Sequence, residues 1–235
     1  TNGGDIVMWP NKGASRRGQL RLGKNNTFNS AGGRTDQAKG GGDIIFAGGE
    51  GEDDNGKNRP SGYARDDDRT RGIYVQDGLK VYSGGGDVTF KGSTNRYNNY
   101  NIRGIYFVGD LTVYSGEGAI EFDGKILRTN GASGYGVEFA ASTTNTVSVT
   151  SDKASGDAIT INGNNTPNRW GVYFNTINTS GTGLFEATRG GNIVVTTTKG
   201  IRTRDNYTFR TNGGDIVMWP NKGASRRGQL RLGKN

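Results

Sequence analysis

The sequence predicts an all-β chain folded as a parallel β-solenoid, a β-helix with about six three-stranded coils in each period of 210 residues. Three observations lead there. Residues 1–25, TNGGDIVMWPNKGASRRGQLRLGKN, recur letter for letter as residues 211–235. An old duplication would have drifted. The chain therefore reads as one complete solenoid period, residues 1–210, and the start of the next identical period, residues 211–235, in one continuous domain. Inside that period a shorter unit restarts six times. Each unit also carries stretches of period-two alternation, which places every second side chain on one face of a strand.

The first stretch of each unit follows a glycine-rich step: GGDIVM from Gly3, GGDIIF from Gly41, GGDVTF from Gly85, EGAIEF from Glu117, GDAITI from Gly156 and GGNIVV from Gly190. Its anchors are Ile6, Ile44, Val88, Ile120, Ile159, Ile193 and then Ile216, spaced by 38, 44, 32, 39, 34 and 23 residues. Met8, Phe46, Phe90, Phe122, Ile161 and Val195 share the anchors' face. The second stretch is GIYV from Gly72, GIYF from Gly104, GVEF from Gly136 and GVYF from Gly171, with Leu20–Leu22 and Gly200–Thr203 in the outer units. The third is LKVYS from Leu79, LTVYS from Leu111 and VSVTS from Val147, with Phe28 and Tyr207–Phe209 marking it at the ends. In the fifth unit Leu184–Thr188 alternates poorly, and the pattern does not assign its inward residues.

Three strands per unit, separated by Gly, Asn and Ser turns, describe one triangular coil. Stacked coils pair like strands in parallel and pile like residues in columns. A sandwich does not restart the same three strands six times, a propeller blade needs four, and no helical periodicity survives the glycines. With strands about 4.8 Å apart, six coils advance about 29 Å per period. The two longest inter-strand stretches, Gly48–Arg71 and Gly92–Arg103, are expected to project sideways as loops.

Composition agrees with a narrow core. Glycine accounts for 42 of 235 residues, and Leu, Ile, Val and Phe together for about 19%. That is near the level where disorder becomes the default, but a coil needs only about two inward side chains per strand. The net charge of +8 is partly double counting, because the repeated segment carries Lys12, Arg16, Arg17, Arg21 and Lys24 against Asp5. With no histidine and no cysteine, a Ser–His–Asp triad, a thiolate nucleophile, the usual zinc ligand set and a haem histidine are all excluded. No stretch approaches the ~20 apolar residues of a membrane span.

The GGDIIF (Gly41–Phe46) and LTVYSG (Leu111–Gly116) stretches resemble the β-helix repeats of secreted bacterial adhesins of the filamentous-haemagglutinin type and of giant tandem-repeat surface proteins. The resemblance covers the whole period. It implies an extracellular, cell-surface, very long, structural or adhesive protein, and it brings no catalytic residues. The perfect end repeat departs from the imperfect repeats of such proteins and fits a homogenised tandem array.

The expected function is accordingly a structural repeat of an extracellular filament (matrix, sheath or stalk) whose partners are copies of itself, end to end and laterally. The alternative is an adhesin stalk engaging glycans through lateral loops. A polysaccharide-cleaving enzyme is not expected, because carboxylates do not recur as a row within the strand columns. No cofactor is expected beyond a calcium alternative. Gly48-Gly49-Glu50-Gly51-Glu52-Asp53 matches the GGxGxD opening of calcium-binding repeats, with Asp66 and Asp68 as a second half, but Asn55 stands where a large apolar residue belongs. The competing reading is a solvated acidic loop, with Asp66, Asp67 and Asp68 neutralised by Arg65, Arg69 and Arg71. Candidate surface residues are Tyr74, Tyr106 and Tyr173, which share one outward position with Glu138 between them, and Trp9 and Trp170 at corners. Arg16, Arg17 and Arg21 recur every period as a basic stripe that an acidic polysaccharide or extracellular DNA would feel without specific recognition.

Overall fold

A computed structural model describes residues 3–12, 18–49, 59–67, 69–95, 100–127, 133–141, 144–165, 170–176, 180–223 and 228–233. It is all-β, with no helix among the described residues, and therefore none long and apolar enough to cross a membrane. The strands form three parallel sheets that run the length of the molecule. The first contains Ile6–Met8, Ile44–Phe46, Val88–Thr94, Ile120–Ile126, Asp157–Asn165, Asn192–Thr197 and Ile216–Trp219. The second contains Leu20–Leu22, Arg71–Gln76, Tyr100–Val108, Ser133–Ala141, Trp170–Thr176, Gly200–Thr203 and Leu230–Arg231. The third contains Asn26–Asn29, Leu79–Tyr82, Leu111–Tyr114, Thr146–Ser151, Thr182–Ala187 and Tyr207–Thr211. Each pass through the three sheets is one rung of a parallel β-solenoid.

Every pair of successive anchors named above is a register pair: Ile6 with Ile44, Ile44 with Val88, Val88 with Ile120, Ile120 with Ile159, Ile159 with Ile193, and Ile193 with Ile216. The inward columns make one continuous core. In the first sheet Phe46, Phe90 and Phe122 stack with centroids 4.5 and 5.1 Å apart. In the second, Phe107, Phe139 and Phe174 stack at 5.3 and 5.5 Å. The two piles meet edge to face, as Phe122 and Phe139 do at 5.1 Å and 84°, the arrangement that ring quadrupoles favour. In the fifth rung Gly183, Phe185 and Ala187 turn inward and Leu184 outward, so the stretch alternates with a glycine filling one core position.

The two expected loops are strand in part, their residues 96–99, 50–58 and 68 lying outside the described residues. In Gly92–Arg103, Gly92, Ser93 and Thr94 continue the ladder opposite Gly124, Lys125 and Ile126, while residues 100–103 open the next strand. The described part of Gly48–Arg71 returns to the first sheet. Gly48 and Gly62 form an antiparallel bridge, and Ala64–Arg65 adds to the first sheet opposite Gly92–Ser93. Ala64 is fully buried, and this burial holds the segment against the sheet.

The glycines that end the first-sheet stretches are strand residues for a packing reason. Gly92, Gly124 and Gly163 form one register column, and they face Gly104, Gly136 and Gly171 of the second sheet. A Cβ on Gly124 would sit 2.0 Å from the Gly136 carbonyl oxygen. The two sheets meet backbone to backbone at that corner, and only glycine permits the approach.

Polar columns close the rungs. The backbone N–H of Asp43 donates to Asp5 Oδ1 at 2.9 Å, that of Asp87 to Asp43 Oδ1 at 2.8 Å, and that of Ala119 to Asp87 Oδ1 at 2.7 Å. Each GGD aspartate thus satisfies a strand-opening donor of the following rung. Ser30, Ser83, Ser115 and Ser151 form a buried column in which the hydroxyls donate to turn carbonyls, as Ser115 does to Gly118 at 2.6 Å and Ser30 to Gly42 at 2.6 Å. Burying these groups is tolerable because each has a partner.

Candidate functional site

The outward face of the second sheet carries the molecule's most organised set of chemical groups. Its central column runs in register through Arg21, Tyr74, Tyr106, Glu138, Tyr173, Arg202 and Arg231. A flanking column places Arg71, Arg103 and Tyr135 side by side on successive rungs. The guanidinium of Arg71 lies 4.3 Å from the Tyr74 ring centroid and 4.9 Å from that of Tyr106. Arg103 continues the alternation, 4.7 Å from Tyr106 and 5.3 Å from Tyr135. Arg21 covers Tyr74 at 5.7 Å, and Arg202 approaches Tyr173 at 5.1 Å and Trp170 at 5.8 Å. The result is a cation–aromatic ladder along the solenoid axis.

One carboxylate sits within it. Glu138 is buried, accepts from Arg103 Nε at 2.5 Å and from Asn175 Nδ2 at 3.0 Å, and so has both oxygens engaged. Tyr173 is also buried, and its hydroxyl accepts from Arg204 Nε at 2.7 Å. Burial first, and then the Glu138 charge, push the Tyr106 and Tyr135 hydroxyls above their ordinary range. Burial and the neighbouring Arg103 charge pull the Arg71 guanidinium down, while facing tyrosines oppose the shift.

The other candidate residues are distributed differently. Trp170 opens a second-sheet strand and is buried, so its ring is a packing element beneath Arg202. Trp9 lies just beyond a first-sheet strand, donates from Nε1 to the Gly49 carbonyl at 2.6 Å, and has Lys12 Nζ 4.8 Å from its ring. Arg21 is exposed beside Tyr74; Arg16 and Arg17 lie outside the described residues, as do Glu50, Glu52, Asp53 and Asp68. Asp66 is buried and accepts the backbone N–H of Arg69 at 3.0 Å. Asp67 takes a two-pronged pair from Arg65 at 2.8 and 2.9 Å. Arg71 turns away from these aspartates to the tyrosines. Among the described residues no three carboxylates, histidines or cysteines converge as metal ligands.

On the outward face of the first sheet a polar groove of about 340 Å³ is lined by Asp123, Asn162, Asn164, Thr196, Thr197 and Lys222. The Tyr63 hydroxyl donates to Asp123 Oδ2, and burial together with that carboxylate raises the phenol's pKa. Asp123, Asn162 and Thr196 are register partners on successive rungs, and the Thr196 hydroxyl donates to Asn162 Oδ1 at 2.5 Å. The flanking Arg71–Arg103 column escapes a sequence reading because those residues look like turn residues; extended strands and register bring them together. No family model, no curated protein and no solved structure matches this chain.

Proposed function

We propose that the chain is a repeat of a β-solenoid filament outside the cell, serving as matrix, sheath or stalk, with successive 210-residue periods stacked end to end. One observation carries this reading: the two copies of the 25-residue segment present opposite faces of one rung. In the first copy, Ile6–Met8 and Leu20–Leu22 pair with the following rung, at Ile44–Phe46 and Ile73–Val75. In the second, the same residues, now Ile216–Met218 and Leu230–Arg231, pair with the preceding rung, at Ile193–Val195 and Ile201–Arg202. Combining the copies yields an internal rung whose first- and second-sheet strands are covered on both sides, with those columns in register.

The two copies differ in burial, as their different partners require. Leu20 is 9% exposed and its counterpart Leu230 is 42% exposed. Among the described residues, the exposed large apolar side chains are Val7, Ile216, Val217, Trp219, Leu230 and Leu232, all in the two copies, plus Leu127. Placement outside the cell rests on the resemblance of the GGDIIF and LTVYSG stretches to secreted repeats.

Electron microscopy and fibre diffraction test the proposal. The expected result is unbranched filaments with a 4.8 Å rung reflection and a repeat of about 29 Å from six rungs. The mass of the denatured chain then separates a continuous polypeptide from docked copies of about 25 kDa. Monodisperse 25-kDa particles that never elongate would overturn it.

A further inference from the structure

We infer that Arg71 and Arg21, set against Tyr74 and Tyr106 and backed by the buried charge of Arg103, form a binding site for the anionic groups of an acidic polysaccharide lying along the second sheet. The inference does not depend on filament formation, because every residue of the site lies within the first three rungs of a single chain.

Charge placement is the first argument. Arg71 and Arg103 are direct register partners, which puts two guanidinium-bearing side chains on adjacent rungs about 4.8 Å apart. Like charges facing each other across a strand pair are unfavourable unless something neutralises them. The nearby carboxylate, Glu138, is engaged by Arg103 and Asn175. Among the described residues Arg71 has no carboxylate paired to it, and Arg21 meets only the neutral Gln76 Oε1, at 3.4 Å.

Unmet hydrogen bonding is the second. Among the described residues the Arg71 guanidinium makes no hydrogen bond or ion pair, and its Nε is a buried donor without a partner. Arg103, itself more than nine-tenths buried, leaves Nη1 without one as well. A buried unpaired donor costs about 1–3 kcal/mol, and a charged one costs more. Those two atoms face inward and hold unneutralised charge at the surface; the contact with an anion falls to the Arg71 Nη groups, which are not closed off and make no hydrogen bond among the described residues, and to the exposed Arg21.

Geometry selects the kind of anion. Tyr74 and Tyr106 stack with centroids 5.7 Å apart and planes 12° from parallel, with Arg71 against both rings. Holding the guanidinium by its faces leaves its donor edge for two-pronged contact with a planar or tetrahedral oxyanion. The ring faces are occupied, so bases of a single-stranded nucleic acid would find no stacking platform. A parallel sheet face also offers no helix or two-stranded ribbon to enter a duplex groove. An extended polysaccharide bearing carboxylates or sulfates fits both conditions. Repetition of the site along a filament would multiply the effect through effective concentration.

The test uses the 235-residue chain with fluorescently labelled alginate (carboxylated), dextran sulfate, neutral dextran and single-stranded DNA. The expected result is binding of alginate or dextran sulfate, weakening steeply between about 50 and 200 mM salt, and no binding of neutral dextran. The two acidic polymers report which oxyanion is preferred. Arg71→Gln is expected to weaken binding roughly tenfold, equivalent to about 1.4 kcal/mol. Arg71→Lys should restore only part, because it keeps the charge and loses the fork. Arg21→Gln, at an exposed position that cannot compromise the core, should weaken binding severalfold. Lys80→Gln, on the exposed face of the third sheet, should change nothing. Tighter binding of single-stranded DNA than of either acidic polysaccharide overturns the inference. So does retention of full affinity in both Arg71→Gln and Arg21→Gln, or an absence of polysaccharide binding at low salt.

Discussion

Arg103 and Glu138 form an ion pair on the outward face of the solenoid, yet both are buried, with side-chain exposures of 8% and 2%. Tyr106 and Tyr135 lie against the guanidinium. An outward position on a sheet is therefore not equivalent to a solvated one: neighbouring rungs supply large side chains that exclude water.

Glu138→Leu should be strongly destabilising, since it strands a buried guanidinium. The expected loss is about 3–5 kcal/mol, and the double substitution Arg103→Met with Glu138→Leu should recover most of it. Urea unfolding of the unsubstituted chain and the two variants checks both numbers. A small loss in the single variant would mean that water reaches Arg103.

Gly124→Ala should destabilise by about 1–3 kcal/mol or more, although alanine suits most positions better than glycine. The added methyl would meet the Gly136 carbonyl oxygen at 2.0 Å, and neither backbone can move without opening the corner between two sheets. The control is Gly33→Ala, a left-handed turn position with φ of 86° and open space around it, where only conformational strain applies. Thermal unfolding should rank Gly124→Ala as the more damaging change.

Phe122→Ala should cost about 3–5 kcal/mol. The ring stacks on Phe90 at 5.1 Å and meets Phe107 and Phe139 edge to face, so a cavity opens in two sheets at once. Phe209→Ala, at a half-buried ring of the sixth rung, should cost less. Comparing denaturation midpoints of the two variants measures how much a ring gains from being covered on both sides.

Alkaline pH should weaken the fold. The Tyr114 hydroxyl is pushed up to about 12 from the usual 10.0, by burial first and then by its hydrogen bond to Asp152. The folded chain then holds this proton where the unfolded chain releases it, so stability present below pH 10 declines as pH rises from about 10 to 12. Tyr114→Phe should reduce that slope. Melting temperatures measured at pH 8, 10 and about 11.5 provide the check.

The amino-acid sequence by itself determined the parallel solenoid, the six rungs per period and the anchor register. Period-two alternation reports which face of a strand is buried, and the restart distance reports which strand lies beneath. Ile6, Ile44, Val88, Ile120, Ile159, Ile193 and Ile216 all fall in one column for that reason. Only the tertiary structure decided where strands continue through glycine, as at Gly92, Gly124 and Gly163, because backbone approach leaves no apolar pattern. It also decided that Ala64–Arg65 folds back onto the first sheet. The Arg71–Arg103 site belongs to the same class. Its members are 32 residues apart in the chain, carry no shared motif, and meet because rung-to-rung register sets like charges side by side between aromatic rings.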